Sequence, residues 1–162
     1  MEIFRKVRRQ DRLLDGDATR ELLATGEYGF LALCSPEGYG YGIPLHYAAV
    51  GNSIYFHCAP EGHKLDAVRA NSGVSFCVVG PTQVFPEAFT TRYASVHVFG
   101  RVAVVEEDNE RFRALRLLVE KYSPEFTGVA EKYINGSSPR TTVLRLDIEH
   151  LSGKTNEPHP EL

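Results

Sequence analysis

Two neighbouring side chains that can carry positive charge, His63 and Lys64, stand directly after a turn in this sequence. A short apolar run before them leads through residues 59–62, and the residues after them have helical spacing. The first N–H groups of a helix lack backbone partners and carry a partial positive charge, so this arrangement predicts a site for a phosphate monoester. A second interpretation is that the pair only balances Glu61 and Asp66 on a solvated helix start.

The segment at residues 40–47 has an unusual composition for a strand, because it contains Gly40, Gly42 and Pro44. Glycine and proline weaken a strand ladder, and proline is confined to edges and bulges. One explanation is a flat molecule that lies against the backbone and uses its free N–H and C=O groups. The other is a bulged edge strand without a ligand, and the segment taken alone favours this second explanation.

Four of the six histidines, His46, His57, His63 and His97, fall in the regions around this candidate pocket. A single strand histidine is more often a hydrogen-bonded residue than an acid or base, but the grouping favours a functional role. No pair has the i, i+4 spacing or the carboxylate pattern of a metal site, so no metal is expected.

A second polar run lies at residues 92–101, where Ser95 could hydrogen-bond a heterocycle and Tyr93 could stack on one. The alternative is an ordinary barrel strand with outward polar residues, which the run by itself favours. The sequence lacks a Ser/His/Asp order, a nucleophile elbow, a P-loop and a dinucleotide fingerprint, which removes the usual support for hydrolases, nucleotide triphosphatases and dinucleotide folds.

The composition is that of an ordinary globular chain of one domain: 162 residues, 43% hydrophobic and 24% charged. A net charge of −3 and a pI near 6.1 argue against a nucleic-acid or membrane-surface binder. No apolar run approaches the ~18 residues of a membrane span, so a cytoplasmic location is expected. Cys34, Cys58 and Cys77 are odd in number and far apart, which predicts buried, reduced thiols.

Periodicity and turn residues predict a mainly β chain with peripheral helices. Asp17 is the expected cap of a first helix that Gly26 ends, and Asp108 is the expected cap of a later helix. A third helix is expected to begin after His63 and Lys64, and a fourth at residues 127–135. Six strands are expected at residues 28–34, 39–50, 53–58, 74–79, 93–105 and 141–148, with a hairpin turn at 51–52, a loop at 82–91 and a bend at residue 100.

These elements predict a six-stranded antiparallel split or closed β-barrel. Residues 1–16 are expected to form an N-terminal arm, residues 17–152 the barrel domain, and residues 153–162 a polar, loose tail.

Four segments, at residues 27–29, 38–47, 54–66 and 93–100, resemble the FMN-binding split-barrel superfamily in matching order. The most similar branch is the nitroimidazole-resistance (Nim) proteins, relatives of pyridoxamine 5′-phosphate oxidase. The resemblance extends over about residues 8–152. It implies a homodimer with one FMN in each of two clefts at the subunit interface.

Transferred position by position, the resemblance implies a set of cofactor-binding residues. Those resembling the strand along the flavin ring and ribityl chain are Gly42, Ile43, Pro44 and Leu45. Those near the ribityl phosphate are His57 and Cys58, and those that bind the phosphate are His63 and Lys64, where the oxidases usually have arginine in place of His63. Those placed against the flavin, from the second subunit, are Ser95 and Val96.

The oxidases hold FMN and substrate with a C-terminal segment that contains tryptophan and arginine, whereas this chain has no tryptophan. The resemblance therefore favours reduction of a small aromatic electrophile, such as a nitro compound, over oxidation of pyridoxamine phosphate. His46 or His97 is the candidate proton donor. A flavin- or haem-binding sensor or carrier without turnover is the alternative.

Overall fold

An antiparallel sheet of eight strands forms the body of the protein in the computed structural model, which describes residues 3–137 and 140–156. The strands are β1 (Leu13–Leu14), β2 (Gly29–Cys34), β3 (Gly40–Leu45), β4 (Ala48–Val50), β5 (Ser53–Cys58), β6 (Gly73–Phe85), β7 (Thr90–Val104) and β8 (Thr142–Asn156). The helices are α1 (Gly16–Thr25), α2 (His63–Ala70), α3 (Asp108–Tyr122) and α4 (Thr127–Ser137).

The sheet closes on itself because its two ends are neighbours in the chain. Its order is β3-β2-β6-β7-β8-β5-β4, with β1 paired to β8. Only His46 and Tyr47 separate the end of β3 from the start of β4, and so short a link spans at most about 11 Å. The outermost strands therefore lie close together, which gives the expected mainly β, split-barrel architecture.

The barrel is filled by the inward residues of alternating strands. On β2, Leu31 and Leu33 are buried, whereas Phe30 and Ala32 point outward and are exposed. Tyr47, Phe56 and other large side chains are wholly buried in the same core. Each such apolar side chain stabilises the fold by about 1.5–3 kcal/mol relative to exposure.

The hairpin at residues 51–52 is confirmed, since Val50 pairs with Ser53 and Gly51 has a φ of 58°. The single strand expected at residues 39–50 is wrong, because β3 and β4 are separate and pair with different neighbours. Between them the Tyr47 side chain enters the core, and the Tyr47 N–H donates to the hydroxyl of Tyr122 at 3.0 Å. Together with the short β1, this division raises the strand count from six to eight.

The loop expected at residues 82–91 is wrong, because this segment extends β6 and β7 into a long hairpin. Pro81 lies at a shift of register between Val79 and Thr82, and Pro86 opens a short 3₁₀ turn. Both prolines occupy positions where the ladder needs no N–H donor. The expected bend at Gly100 is confirmed by a register shift there, where a side chain would meet the carbonyl of Asp147.

Two helix caps differ from those expected. The carboxylate of Asp15, rather than Asp17, accepts from the N–H of Ala18, and that of Glu107, rather than Asp108, accepts from two N–H groups at the start of α3. A capping side chain must precede the N–H groups that it serves by two or three residues, which these earlier acids do.

Two pairings reach into the segments assigned to the arm and the tail. Leu13 pairs with Lys154, and β8 continues to Asn156 instead of ending at residue 148. The rest of the expected tail, residues 157–162, lies outside the described residues.

The helix α3 is attached to the sheet by a polar network as well as by packing. Glu110 accepts hydrogen bonds from Arg145 at 2.9 Å and from the Tyr55 hydroxyl at 2.8 Å. Arg145 also donates to Asp147. In the described part of the chain, no helix is long and apolar enough to cross a membrane.

Candidate functional site

The start of α2 offers N–H groups that no side chain of the described residues caps. Gly62 precedes the helix with a φ of 124°, a conformation that glycine adopts readily. Its carbonyl accepts from the N–H groups of Leu65 and Asp66 at 2.9 and 3.3 Å. The preceding N–H groups of His63 and Lys64 therefore remain available to an anion.

His63 and Lys64 connect this helix start with two strands. The His63 ring lies edge-on to Tyr41 of β3, with centroids 4.6 Å apart. Lys64 lies near the end of β5, where its charge acts on His57 and Cys58. The three elements meet in what we call the β3–α2 corner, defined by Gly42, His57, Cys58, His63 and Lys64.

The electrostatics of the corner follow from partial desolvation and from Lys64. Desolvation lowers the pKa of His57, and the charges of Lys64 and His46 lower it further. Desolvation also raises the pKa of Cys58, against the opposing effect of Lys64. At neutral pH His57 is therefore a neutral hydrogen-bonding group and Cys58 a thiol, which leaves Lys64 as a fixed cation of the corner.

The outer surface of β3 is flat because its outward positions are Gly40, Gly42 and Pro44. Tyr41, Ile43 and Leu45 point inward and pack against the core. A Cβ at Gly40 or Gly42 would meet no atom within 4 Å, and neither residue has a positive φ. Packing within the described chain therefore does not require glycine at these positions. A planar group that lies against the strand from outside would require it.

A cavity of about 210 Å³ lies beside the corner, between the barrel and the α3–α4 helices. His46 and His57 contribute to its wall, together with apolar side chains such as Leu118. His46 stacks on Tyr122 with centroids 4.6 Å apart and an angle of 29° between the rings. The Tyr122 hydroxyl lies 2.6 Å from the carbonyl oxygen of Glu27 and 2.9 Å from that of Tyr47, which fixes the ring.

Tyr122 is a site residue that the sequence did not single out. It ends the apolar stripe of α3, and nothing in that spacing distinguishes it from a core residue. Its hydrogen bonds join residues 75 and 95 positions apart in the chain, so only the tertiary structure identifies it.

The predicted site residues on β7 lie away from the β3–α2 corner of the same chain. His97 points outward on β7, which is the third strand from β3 in the sheet. Across the paired residues Pro44, Phe30, Cys77 and His97, the distance from Pro44 to His97 is about 14 Å. Ser95 is buried, and Val96 is wholly buried in the core. His46 and His97 therefore do not share a cavity within one chain.

His97 belongs to an outer face of the sheet that Lys154 of β8 and Arg101 of β7 border. Its ring nitrogen lies 3.7 Å from the sulfur of Cys77. Desolvation lowers the pKa of His97, as does the charge of Lys154. The outward positions that we call the outer face are Phe30, Ala32, Cys34, Ser75, Cys77, Val79, Ser95, His97 and Phe99. None of them is Asp, Glu, Lys or Arg.

All three cysteines are free, as expected, but none is buried: Cys34 is exposed because it is an outward residue of β2, and Cys58 and Cys77 are partly buried. Within residues 3–137 and 140–156, no three His, Cys, Asp or Glu side chains are grouped so as to hold a metal ion.

The donor set of the β3–α2 corner fits a planar ring that carries a phosphate monoester. The helix start and Lys64 match the charge of the phosphate, and the surface over Gly40 and Gly42 matches a flat ring. As an end strand of the sheet path, β3 ladders on one side with β2, which leaves backbone groups of its other edge for a ligand.

Several solved structures are similar to this fold. A FAD- and heme-binding protein from Mycobacterium smegmatis has a TM-score of 0.78 at 22% identity, covering 91% of this chain and 74% of its own. A FAD-binding protein from Mesorhizobium loti has a TM-score of 0.66 at 24% identity, with coverages of 90% and 98%. A candidate 5-nitroimidazole antibiotic resistance protein from Bacteroides thetaiotaomicron has a TM-score of 0.72 at 17% identity, with 90% of each chain covered.

No curated protein sequence matches the chain significantly. The family model described as pyridoxamine 5′-phosphate oxidase matches residues 15–155, which include every strand from β2 to β7 and nearly all of β8. The family match also agrees with the split-barrel fold. This chain belongs to the pyridoxamine 5′-phosphate oxidase family.

Proposed function

We propose that this protein is a flavoprotein that binds FMN at the β3–α2 corner and reduces a small electrophile such as a nitroaromatic compound. The observation that carries the proposal is the uncapped start of α2, with Lys64 and His63, beside a strand whose outward positions have no bulky side chain. Flavin-binding proteins and a candidate nitroimidazole-resistance protein among the similar structures support it.

FMN is favoured over FAD by the chemistry of the corner. FMN ends in a phosphate monoester, and a single helix start with Lys64 and His63 suits one terminal phosphate. The ribityl chain then passes His57 and Cys58 at the end of β5. The ring lies along Gly42, Ile43, Pro44 and Leu45, where the contacts come from the backbone and from Pro44 because Ile43 and Leu45 point inward.

A homodimer completes the proposed site. In one chain Ser95, Val96 and His97 are too far from the corner to contact the same ring. A second copy that packs on the uncharged outer face brings its own β7 toward the first copy's corner. Burial of that face also removes exposed apolar surface such as Phe30 and Val79 from water.

The cavity beside the corner is the proposed substrate site. Its volume of about 210 Å³ suits a small aromatic molecule, and its apolar wall lowers the local dielectric. The bound flavin supplies the electrons. Stacking on Tyr122 orients His46 to donate a proton, and neutral His57 donates or accepts a hydrogen bond. His97 of the second copy is the other candidate donor.

Titration of the purified protein with FMN, followed by quenching of flavin fluorescence, tests the cofactor site. Lys64→Ala removes one charge-assisted contact, which costs about 1.5–3 kcal/mol and weakens FMN binding about ten- to a hundredfold. Lys132→Ala, an exposed residue of α4, is the matched control and leaves the affinity unchanged. Equal FMN affinity in the wild type and both variants contradicts the phosphate assignment.

The absorbance spectrum and turnover test the activity. We expect flavin bands that NADH or NADPH bleaches without oxygen and that a nitroaromatic compound restores. Flavin bands that no nitroaromatic restores indicate a flavin-binding sensor or carrier. A Soret band in place of flavin bands overturns the flavin proposal in favour of haem binding.

A further inference from the structure

A second cavity lies between the N-terminal arm, α1 and β8, and shares no lining residue with the corner or its cavity. We call it the N-terminal cavity and define it by Lys6, Leu13, Leu14, Arg20, His150 and Leu151. Its volume is about 400 Å³, within the range of roughly 300–1,000 Å³ that is usual for small-molecule sites.

The cavity has an apolar floor and a cationic mouth. Leu14 and Leu151 are half-buried, and Lys6 and Arg20 are exposed at the opening. The lining contains no Asp or Glu, although acidic residues outnumber Lys and Arg in the chain by 21 to 18. Lys6 and Arg20 form no ion pair with any carboxylate in residues 3–137 and 140–156.

The walls of the cavity are held in place by close packing. A side chain at Gly153 would collide with Thr19 and Leu14, so β1 and α1 approach β8 only because this residue is glycine. The Thr19 hydroxyl donates to the carbonyl of Asp15 at 2.6 Å. On the other side the His150 ring stacks on Phe4 at 5.2 Å. This packing fixes the walls, so the cavity is a feature of the folded chain.

We propose that the N-terminal cavity binds an organic carboxylate with an apolar body of about eight carbons. The apolar body lies on Leu14 and Leu151, and the carboxylate lies at the mouth between Lys6 and Arg20. An uncharged ligand would gain no charge-assisted contact from these two cations, and a cationic ligand would be repelled. The site is separate from the proposed flavin chemistry and does not depend on it.

Calorimetric titration of the full chain with octanoate tests this proposal, with octan-1-ol and octyltrimethylammonium as uncharged and cationic analogues. We expect octanoate to bind at least about tenfold more tightly than either analogue. The double variant Lys6→Gln/Arg20→Gln weakens octanoate binding about tenfold, because it removes both charge-assisted contacts. Lys132→Gln, on exposed α4, is the control for loss of one charge and binds octanoate like the wild type.

A second variant tests the position of the ligand without removing charge. Leu13 is 43% exposed on the cavity wall, so Leu13→Trp is compatible with folding and places a larger side chain against the ligand, and we expect it to weaken octanoate binding at least about tenfold. Octanoate binding that is absent in the wild type, or unchanged in both the double variant and Leu13→Trp, overturns the proposal. FMN affinity measured on the same variants stays at the wild-type value, which separates this site from the corner.

Discussion

Lys121 places a cation where the fold offers it no hydrogen bond. Among the described residues its buried ammonium nitrogen has no hydrogen-bond partner, and it lies 3.8 Å from the centre of the wholly buried Tyr47 ring. Desolvation lowers the pKa of Lys121 to about 8. Attraction to the ring only partly offsets this cost.

The position of Lys121 predicts how stability changes with pH. In the unfolded chain a lysine has a pKa of about 10.4, so between about 8 and that value the unfolded state binds more protons. Stability therefore rises as the pH increases through this window, and the penalty is fully present below it. We expect Lys121→Met, which keeps the volume and removes the charge, to raise the free energy of unfolding at pH 7 and to flatten this rise.

Urea unfolding of the wild type and Lys121→Met at pH 7, 8, 9 and 10 measures both effects. Lys132→Met serves as the exposed control and leaves the pH dependence unchanged. A lower stability of Lys121→Met at pH 7 would mean that the contact with Tyr47 outweighs desolvation, contrary to this account.

Strand β3 shows what local sequence predicts and what it does not. Its Gly-Tyr-Gly-Ile-Pro-Leu pattern correctly indicates an edge strand, and the turn at residues 51–52 correctly places the β4–β5 hairpin. The break at Tyr47 was not predictable from periodicity, because it depends on Tyr122, 75 residues later in the chain. Likewise, Pro81 and Pro86 obscured the period of residues 82–91, although the register shift and the turn accommodate both prolines.

The candidate site likewise combines features that the sequence indicates with features that only the tertiary structure shows. The placement of His63 and Lys64 follows from a local turn and helix start, which a sequence can reveal. The stacking of His46 on Tyr122 and the separation of His97 from His46 depend on how strands and helices pack, so no local pattern indicates them.

A substitution at Gly42 on β3 can distinguish an effect on the stability of the fold from an effect on ligand binding. Because a Cβ there meets no atom within 4 Å and φ is not positive, Gly42→Ala should leave stability unchanged or raise it by about 0.4–1 kcal/mol. The added methyl group occupies the surface where the flavin ring is proposed to lie. We therefore expect FMN affinity to fall by about tenfold while the melting temperature of the cofactor-free protein does not fall.

The matched control is Gly128→Ala on α4, where a Cβ also meets nothing within 4 Å. Thermal unfolding without cofactor and fluorescence titration with FMN measure the two effects separately. A Gly42→Ala protein that keeps its FMN affinity would show that no ring lies against β3.

In the described residues, one patch of the sheet surface lacks charged side chains and is bordered by Lys154 and Arg101. The outer face spans β2, β6 and β7, and none of its nine positions is Asp, Glu, Lys or Arg, in a chain with 24% charged residues. An uncharged, partly apolar sheet surface of this kind is typical of a protein–protein interface. A dimer formed through this face would bring together the two separate groups of proposed cofactor residues.

If the outer faces of two copies meet, loss of the dimer removes the second half of the flavin site. Val79 is 51% exposed at one end of this face, opposite Ser95, and Val79→Glu would bring one carboxylate from each copy into the interface. We expect this variant to sediment as a monomer, to keep its far-ultraviolet circular dichroism, and to bind FMN at least about tenfold more weakly. Val129→Glu, at a position 64% exposed on α4, adds the same charge outside the face and should remain a dimer with normal affinity. Wild-type protein that sediments as a monomer while binding FMN tightly would show that one chain holds the cofactor alone, and that Ser95 and His97 take no part in it.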